Sequence, residues 1–295
     1  MSAGHEKNID KPLAPGLYLV ATPIGNLEDI TLRALRVLRS VDRIACEDTR
    51  QTQKLLNHFE IRTPTVSYHM HNEGSRSEEL VAALKQGGRI AVVSDAGTPG
   101  IADPGGQIAA AAIAAGIDVF PVPGANAAIS GLISSGLPTE RFTFHGFLPA
   151  KAGQRKTALE QLPRGEVTHL FYEAPHRIVE TLADVEAVFG PTQHVVMARE
   201  LTKLHEEFLR GPVSDLRAQL ATRINIRGEI VLMLAPTASE EASTDQRPSI
   251  AAEVAALIKA EGLSEKDALK RIAKERGIGK SDAYRELQRS RNSLR

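Results

Sequence analysis

From Gly16 to Ser135 one pattern repeats five times: a short apolar run, a turn, then a helical stretch. The runs are "GLYLVAT", "DRIACE", "PTVSYHM", "RIAVVS" and "IDVFPVPG". The fourth, Ile90-Ala91-Val92-Val93, is β-branched and uninterrupted, the pattern of a strand covered on both faces. Helices are predicted through Leu38, through Phe59, over Ser75–Gln86, up to Ala115 and over Ala125–Ser135. Five β-α units in succession constrain the chain to a mostly parallel sheet with helices on both faces.

After Gly136-Leu137-Pro138 the rhythm changes. "RFTFHGFL", "VTHLFYEA", "HVVMARELT", "EEFLRGP" and "RGEIVLMLAP" read as strands, with helices near 153–162, 176–188 and 212–224. The third and fourth of these strands leave no room for a helix between them, so they are expected to pair antiparallel. The prediction is a second α/β domain with a mixed sheet. Pro236–Pro248 is polar and aperiodic, a linker. Three helical segments follow, Ile250–Glu261, Ser264–Glu275 and Ser281–Arg289, with Ser264 and Ser281 as N-caps. The expected domains are 16–137, 138–236 and 249–295, with 237–248 as linker. The last resembles a helix-turn-helix module, though a helical cap or dimerisation arm fits equally well.

The chain of 295 residues is 42% apolar and carries no net charge, so its overall charge gives no argument for nucleic acid. The distribution is uneven: residues 249–295 hold 11 Lys and Arg against 7 Asp and Glu, a candidate surface for an anionic partner. The single cysteine, Cys46, excludes an intrachain disulfide and a cysteine-cluster metal site. No apolar run approaches the roughly 18 residues of a membrane helix, and the N-terminus lacks the apolar segment of a signal peptide. A soluble cytoplasmic protein is expected.

The loop after the fourth strand, "SDAGTPGIADPG", is longer than an ordinary strand-to-helix connection. Ligands in open α/β sheets bind beyond the carboxyl ends of the strands, which makes it a binding-site candidate. Asp103 and Pro104 read as the N-cap and first residue of the following helix. No G-x-G-x-x-G follows the first strand and no G-x-x-x-x-G-K-[ST] occurs. The loops "TPIGN", "SDAGTPGIADPG" and "PGANAAIS" are small, apolar or amide-bearing, which suits adenine, ribose or an amino-acid tail better than a pyrophosphate.

The order of "VATPIGNLEDIT", "CEDTR", "SYHMHNE", "VVSDAGTPGIADPG", "VPGANAA", "FYEAPHRI" and "RGEIVLML" resembles the tetrapyrrole-methylase-like (class III) S-adenosylmethionine methyltransferases. Within that superfamily it is similar to the ribosomal RNA small-subunit methyltransferase I family, over about residues 16–236 and in the helical tail. The resemblance implies two α/β domains with S-adenosylmethionine in the cleft between them. It also implies a homodimer and methylation of the ribose 2′-oxygen of a decoding-centre cytidine (cytidine 1402) of 16S rRNA, with the rRNA presented within the 30S subunit. It maps cofactor contacts onto Pro23, Ile24 and Gly25 in the first loop. In the fourth-strand loop it maps them onto Ser94, Asp95, Gly97, Thr98 and Ile101, and in the fifth onto Asn126 and Ala127. The second domain contributes Tyr172, Glu173, Gly228 and Glu229. Where tetrapyrrole members carry Gly-Asp-Pro, this chain has Gly97-Thr98-Pro99, which argues against a tetrapyrrole substrate.

Methyl transfer to a hydroxyl is an in-line displacement in which alignment supplies much of the rate and a base takes the hydroxyl proton. No metal is required. Candidate bases at strand ends are Glu47, Asp48 and Glu200. Candidates for holding RNA are Arg50, His69, Asn72, His176, Arg177 and Arg199, the arginines through their bidentate forks. Equally, Asp48 can cap the next helix and the Glu–Arg neighbours can be structural ion pairs. Two other functions stay open: a tetrapyrrole C-methyltransferase, and an S-adenosylmethionine-sensing regulator whose tail binds DNA through Arg285, Arg289 and Arg291.

Overall fold

The computed structural model describes residues 12–69, 73–237 and 250–276, with Gly279, Ala283, Tyr284 and Leu287. His71, Asn72, the linker, and Arg285, Arg289 and Arg291 of the third tail helix lie outside the described residues. The chain divides into two compact units, Met1–Pro236 and Thr237–Arg295.

The first unit holds two five-stranded sheets. One is built from β1 (Gly16–Val20), β2 (Arg43–Cys46), β3 (Thr65–Ser67), β4 (Arg89–Val93) and β5 (Val119–Val122). Its order is β3-β2-β4-β1-β5 and every pairing is parallel, as the repeated β-α pattern requires. Alternate residues of these strands enter two cores. Tyr18, Val20, Ile44 and Cys46 pack under α1 (Leu32–Ser40) and α2 (Thr49–His58). Leu17, Ala45, Ile90 and Val92 pack under α3 (Glu73–Lys85) and α4 (Gly106–Ala114).

The second sheet comprises β6 (Phe142–Phe147), β7 (Thr168–Glu173), β8 (His194–Arg199), β9 (Glu207–Pro212) and β10 (Ile230–Leu234), in the order β6-β7-β10-β8-β9. It is mixed: β6 and β7 are parallel, and β8 and β9 pair antiparallel from His194↔Pro212 to Arg199↔Glu207, as predicted. One face is covered by α6 (Ala152–Glu160), α7 (Ile178–Phe189) and α8 (Val213–Ala221). On the other face lies α5 (Ala127–Ser135), whose Ala128 and Leu132 pack against Leu170, Val196 and Met233. Helix α5 leaves the first sheet and docks on the second, so the two are joined by a shared core.

Two predicted helix starts are corrected. Helix α4 begins at Gly106 with Gly105, at φ 137°, in the cap position, and Asp103 does not cap it. The Gly100 N–H donates to the Pro104 carbonyl at 3.1 Å and the Ile101 N–H to that of Thr98, so turns carry the chain past Pro104 before the helix can start. Helix α7 begins at Ile178 and not at 176, because Ala174–Arg177 close a turn first.

In the second unit, α9 (Ile250–Glu261) and α10 (Glu265–Arg276) enclose Ile250, Val254, Ala268 and Ile272. Ser264 caps α10 as predicted: its Oγ accepts from the Asp267 N–H at 3.2 Å and donates to the Asp267 carboxylate. Arg271 pairs with Glu261 and Glu275, and Arg276 with Glu253, so part of the basic excess of this segment is neutralised within it.

Candidate active site

The carboxyl ends of β1 and β4 are pinned together. Thr22 and Gly97 exchange two backbone hydrogen bonds of 2.9 and 3.1 Å. A side chain at Gly97, where φ is 84°, would press on Ile24 at 3.2 Å. Ser94 fixes the loop from beneath, its hydroxyl donating to the carbonyls of Ala96 and Gly97. Thr98 donates to the Ala125 carbonyl at 3.1 Å and Asn126 caps α5 by accepting from the Ile129 N–H, so the loop after β5 is drawn onto the loop after β4.

Together with the second sheet these loops enclose a cleft of about 450 Å³, within the range of small-molecule sites. From the first half, Ile24, Glu47, Asp95, Gly97, Thr98 and Ile101 line it, with Asn126 and Ala127 from the head of α5. Tyr172, Glu173, Gly228 and Glu229 line it from the second half. Every one of these was singled out in the sequence. The lining combines apolar residues, Ile24, Ile101, Leu201 and Val231, with acidic ones, Glu47, Asp95, Asp103, Glu173 and Glu229.

Pro23, Gly25 and Ser94 do not line the cleft; they build it. Gly25 has its own reason to lack a side chain, since a Cβ there would fall 2.4 Å from Lys203 Cγ. Lys203 belongs to a clip across the second half: its ammonium reaches Glu200 Oε1 at 2.8 Å and Glu229 Oε2 at 2.9 Å. Glu200 also accepts from the Glu229 N–H at 3.1 Å. Lys203 pulls the Glu200 carboxyl below its usual range, which makes it a weak base. Glu200 is absent from the cleft wall, so its expected role as base is not supported by its position.

Asp48 is likewise occupied. It caps α2 by accepting from the Arg50 N–H at 2.8 Å, and the Arg50 guanidinium grips the same carboxylate, holding it down at about 2. Asp48 and Arg50 are therefore each other's partners. The Asp48 N–H donates to Asp95 Oδ1 at 3.0 Å, which joins the end of β2 to the cleft loop.

Glu47 differs from both. It lines the cleft, and burial with the neighbouring charges of Asp95 and Asp48 pushes its carboxyl up, opposed by His69. His69 lies near enough to favour the ionised form of Glu47 but is not in the cleft wall. Asp103 is a charged lining residue that the sequence did not assign to the site. Freed from capping, it lines the cleft, and burial, helped by Glu47 and Asp95, pushes it up to about 6. Its signal was the length of the loop that carries it: a connection of ordinary length would have placed Asp103 on the helix.

The remaining predicted RNA contacts divide. Arg177 donates to Glu173 Oε1 through Nε at 2.9 Å, while Glu173, 2% exposed, also accepts from Thr181. This is a buried structural pair and not a free guanidinium. Arg199 donates to Glu207 at 2.9 Å and to the Arg227 carbonyl at 3.1 Å. Arg223 grips the same Glu207, and these two arginines, Arg223 foremost, hold its carboxyl at about 2. His176 is exposed in the turn before α7, and Tyr172 is packed edge-on to Phe144. No group of three or more His, Cys, Asp or Glu among the described residues has metal-binding geometry, and no described helix is long and apolar enough to cross a membrane.

Residues 16–217 match the family model for tetrapyrrole (corrin/porphyrin) methylases. The chain is 48% identical over 271 residues to a ribosomal RNA small subunit methyltransferase I of Halalkalibacterium halodurans, covering 91% of this chain and 93% of that protein. It is 45% identical over 270 residues to that of Escherichia coli O157:H7, covering 91% and 93%. Among solved structures, a diphthine synthase aligns with TM-score 0.58 at 16% identity, over 77% of this chain and 93% of that one. A uroporphyrin-III C-methyltransferase of Thermus thermophilus complexed with S-adenosyl homocysteine aligns with TM-score 0.50 at 18% identity, over 75% and 97%. The fold, the converging loops and the identity along nine-tenths of the chain lead to one assignment: the chain belongs to the tetrapyrrole methylase superfamily and, within it, to the ribosomal RNA small subunit methyltransferase I family of S-adenosylmethionine-dependent methyltransferases.

Proposed function

We propose that the cleft binds S-adenosylmethionine and that the enzyme methylates the ribose 2′-oxygen of a decoding-centre cytidine of 16S rRNA, within the 30S subunit. The observation that carries this reading is the cleft's own chemistry. Apolar lining from Ile24, Ile101, Leu201 and Val231 suits a purine, and Thr98 and Asn126 add polar groups to the same cleft. Glu47, Asp95, Asp103 and Glu229 face a positive ligand across the same space. Such a lining fits a nucleoside with a cationic tail and repels a free phosphate.

The bound cofactor supplies an electrophilic methyl group on a sulfonium sulfur. The protein's part is alignment, exclusion of water and proton removal. The pinned loops after β1 and β4 hold the cofactor pocket rigid, and orientation of this kind is worth roughly 7–11 kcal/mol. Glu47 is proposed as the group that accepts the hydroxyl proton. It lies in the cleft wall, no Lys or Arg among the described residues forms an ion pair with it, and its raised carboxyl is a stronger base than an ordinary one. Asp95 and Asp103 are proposed to stabilise positive charge. The homodimer and the cytoplasmic location belong to the same reading. Ile129 and Ile133, 42% and 71% exposed and one turn apart on α5, offer an apolar strip for a second copy.

The test is methyl transfer from labelled S-adenosylmethionine to 30S subunits that lack ribose methylation, with the product nucleoside identified by mass. The expected product is 2′-O-methylcytidine. Methylation of a porphyrinogen in place of 30S subunits would overturn the assignment of substrate, and cofactor binding with operator-DNA binding but no turnover would overturn the enzymatic reading.

A further inference from the structure

Helices α1 and α2 cover the same face of the first sheet, and they share a property that no overall composition reveals. Together they carry Arg33, Arg36, Arg39, Arg50 and Lys54 and not one Asp or Glu. By contrast α3, on the opposite face, carries Glu73, Glu78 and Glu79 against Arg76 and Lys85.

The geometry turns this composition into a surface. Ala34, Val37 and Leu38 are the buried residues of α1. Arg33, Arg36 and Arg39 recur every third residue, so they form a ridge on the side facing away from that core. Arg33 and Arg39 are exposed and Arg36 half-buried. On α2 the buried residues are Thr52 and Leu56, which leaves Lys54 exposed. The two helices are tied at their far ends: Arg39 Nη2 donates to the Phe59 carbonyl at 2.9 Å and Thr63 Oγ1 to that of Leu38 at 2.6 Å. This brings exposed Arg62 beside the end of α1.

Among the described residues no ion pair engages Arg33, Arg36, Arg39, Lys54 or Arg62, whereas Arg50 is neutralised by Asp48. Acids do border the face, with Glu28 and Asp29 ahead of α1 and Glu60 after α2, but none pairs with these cations. Their field reaches inward as well: burial raises the Tyr18 phenol, and Arg33 and Arg36 pull against that rise.

Position supplies the last element. Helix α1 follows the Ile24 loop and α2 follows Glu47, so both begin at the cleft rim and run away from it. We propose that the α1–α2 face is a docking surface for the phosphate backbone of the rRNA that flanks the nucleotide entering the cleft. The inference rests on the rRNA substrate proposed above and extends it by naming a binding surface. Phosphates that an acidic cleft would repel are held outside it, on unpaired cations that lose little by giving up water for a phosphate.

The test is a four-residue variant, R33Q/R36Q/K54Q/R62Q, in the full chain. Arg39 is left in place because it bonds to the Phe59 carbonyl. Affinity for a decoding-region 16S rRNA fragment is measured by filter binding from 50 to 200 mM salt, as about 0.9 of the log–log slope is expected per phosphate on a duplex and about 0.7 on a single strand. The expected result is a slope shallower by about 3, a raised KM for 30S subunits, and unchanged kcat, cofactor Kd and melting temperature. A companion variant, R33K/R36K/R62K, keeps the charge and should keep the slope. An unchanged slope in the glutamine variant would overturn the surface while leaving the methyl-transfer reading intact. A wild-type protein that neither binds the fragment nor methylates 30S subunits would overturn both.

Discussion

Gly228 offers a test of how the second half builds its share of the cleft. It lines the cavity with φ at 93°, and a Cβ there would fall 2.4 Å from both Cγ and Cδ of Glu200. Glu200 is not free to swing aside, because Lys203 and the Glu229 N–H hold its carboxylate. Gly228→Ala therefore costs the backbone strain of a side chain in a region that favours glycine, roughly 1–3 kcal/mol. It also costs the bonds lost when Glu200 is expelled, roughly 1.5–3 kcal/mol. The expected total of about 2.5–6 kcal/mol lowers the melting temperature by roughly 5–24 °C. The reasoning makes a sharper statement about the double variant. In a Glu200→Ala background the clash is already gone, so Gly228→Ala should cost only the backbone part. The coupling in a urea-denaturation cycle should then be about 1.5–3 kcal/mol. Additivity to within about 0.5 kcal/mol would refute the argument, since it would mean that the glycine and Glu200 do not compete for the same space.

Three further outcomes follow from the same geometry. Glu47→Gln should lower kcat by about 10²–10⁴-fold with cofactor Kd nearly unchanged, whereas Asp48→Asn should keep its turnover because that residue is occupied at the head of α2; equal losses in the two would refute the assignment. Asp103 has its folded carboxyl raised to about 6, so stability from this group is fully present below its unfolded pKa and is lost as pH rises through about 6. Affinity for a cationic ligand should rise over that same interval, and Asp103→Asn should flatten both profiles in calorimetric titrations. Glu207 has the opposite sign: its folded carboxyl is depressed to about 2, so its stabilisation is present above the unfolded value and lost as pH falls through about 2. Glu207→Gln should therefore destabilise at pH 7, and a wild-type and variant that remain equally stable there would remove the Arg199–Glu207–Arg223 cluster from the forces holding β8 and β9.

What was legible in the sequence was what depends on periodicity and on strand ends. Uninterrupted runs such as Ile90–Val93 marked the parallel sheet, and the missing connection after Thr202 marked the antiparallel pair β8–β9. The cleft residues were legible because loops at the carboxyl ends of parallel strands converge whatever their composition. The charged residues were less so, for a physical reason. Sequence shows that Arg199, Arg177 and Glu200 are charged but not which partner satisfies them. The partners Glu207, Glu173 and Lys203 become evident only when strands and turns bring them within 3 Å. Asp103 failed in the other direction. Asp-Pro is a good helix start by propensity, but the turn closed by Gly100 and Pro104 delayed the helix and released the carboxylate into the cleft.

The zero net charge of the chain conceals two opposed fields, one in the cleft and one on the α1–α2 face of the first sheet. Glu47, Asp95, Asp103 and Glu229 bring negative charge to the cleft, while α1 and α2 are basic with no Asp or Glu of their own. A uniformly basic protein would draw phosphates into the pocket as readily as onto the surface, and a uniformly acidic one would repel its proposed substrate. In the proposed reading, separating the two signs would let the cleft prefer a cationic cofactor while the adjoining helices attract the polyanion. Their salt dependences must then differ. Exposed charges separated by more than a Debye length, about 10 Å at 0.1 M, are largely screened. A polyanion on α1 and α2 is held by several exposed contacts, each releasing counterions, and a small ligand in a partly buried cleft by few. Raising salt should therefore increase the KM for 30S subunits steeply and the KM for S-adenosylmethionine hardly at all. Parallel increases in the two would mean that cleft and helical face do not act as separate electrostatic compartments.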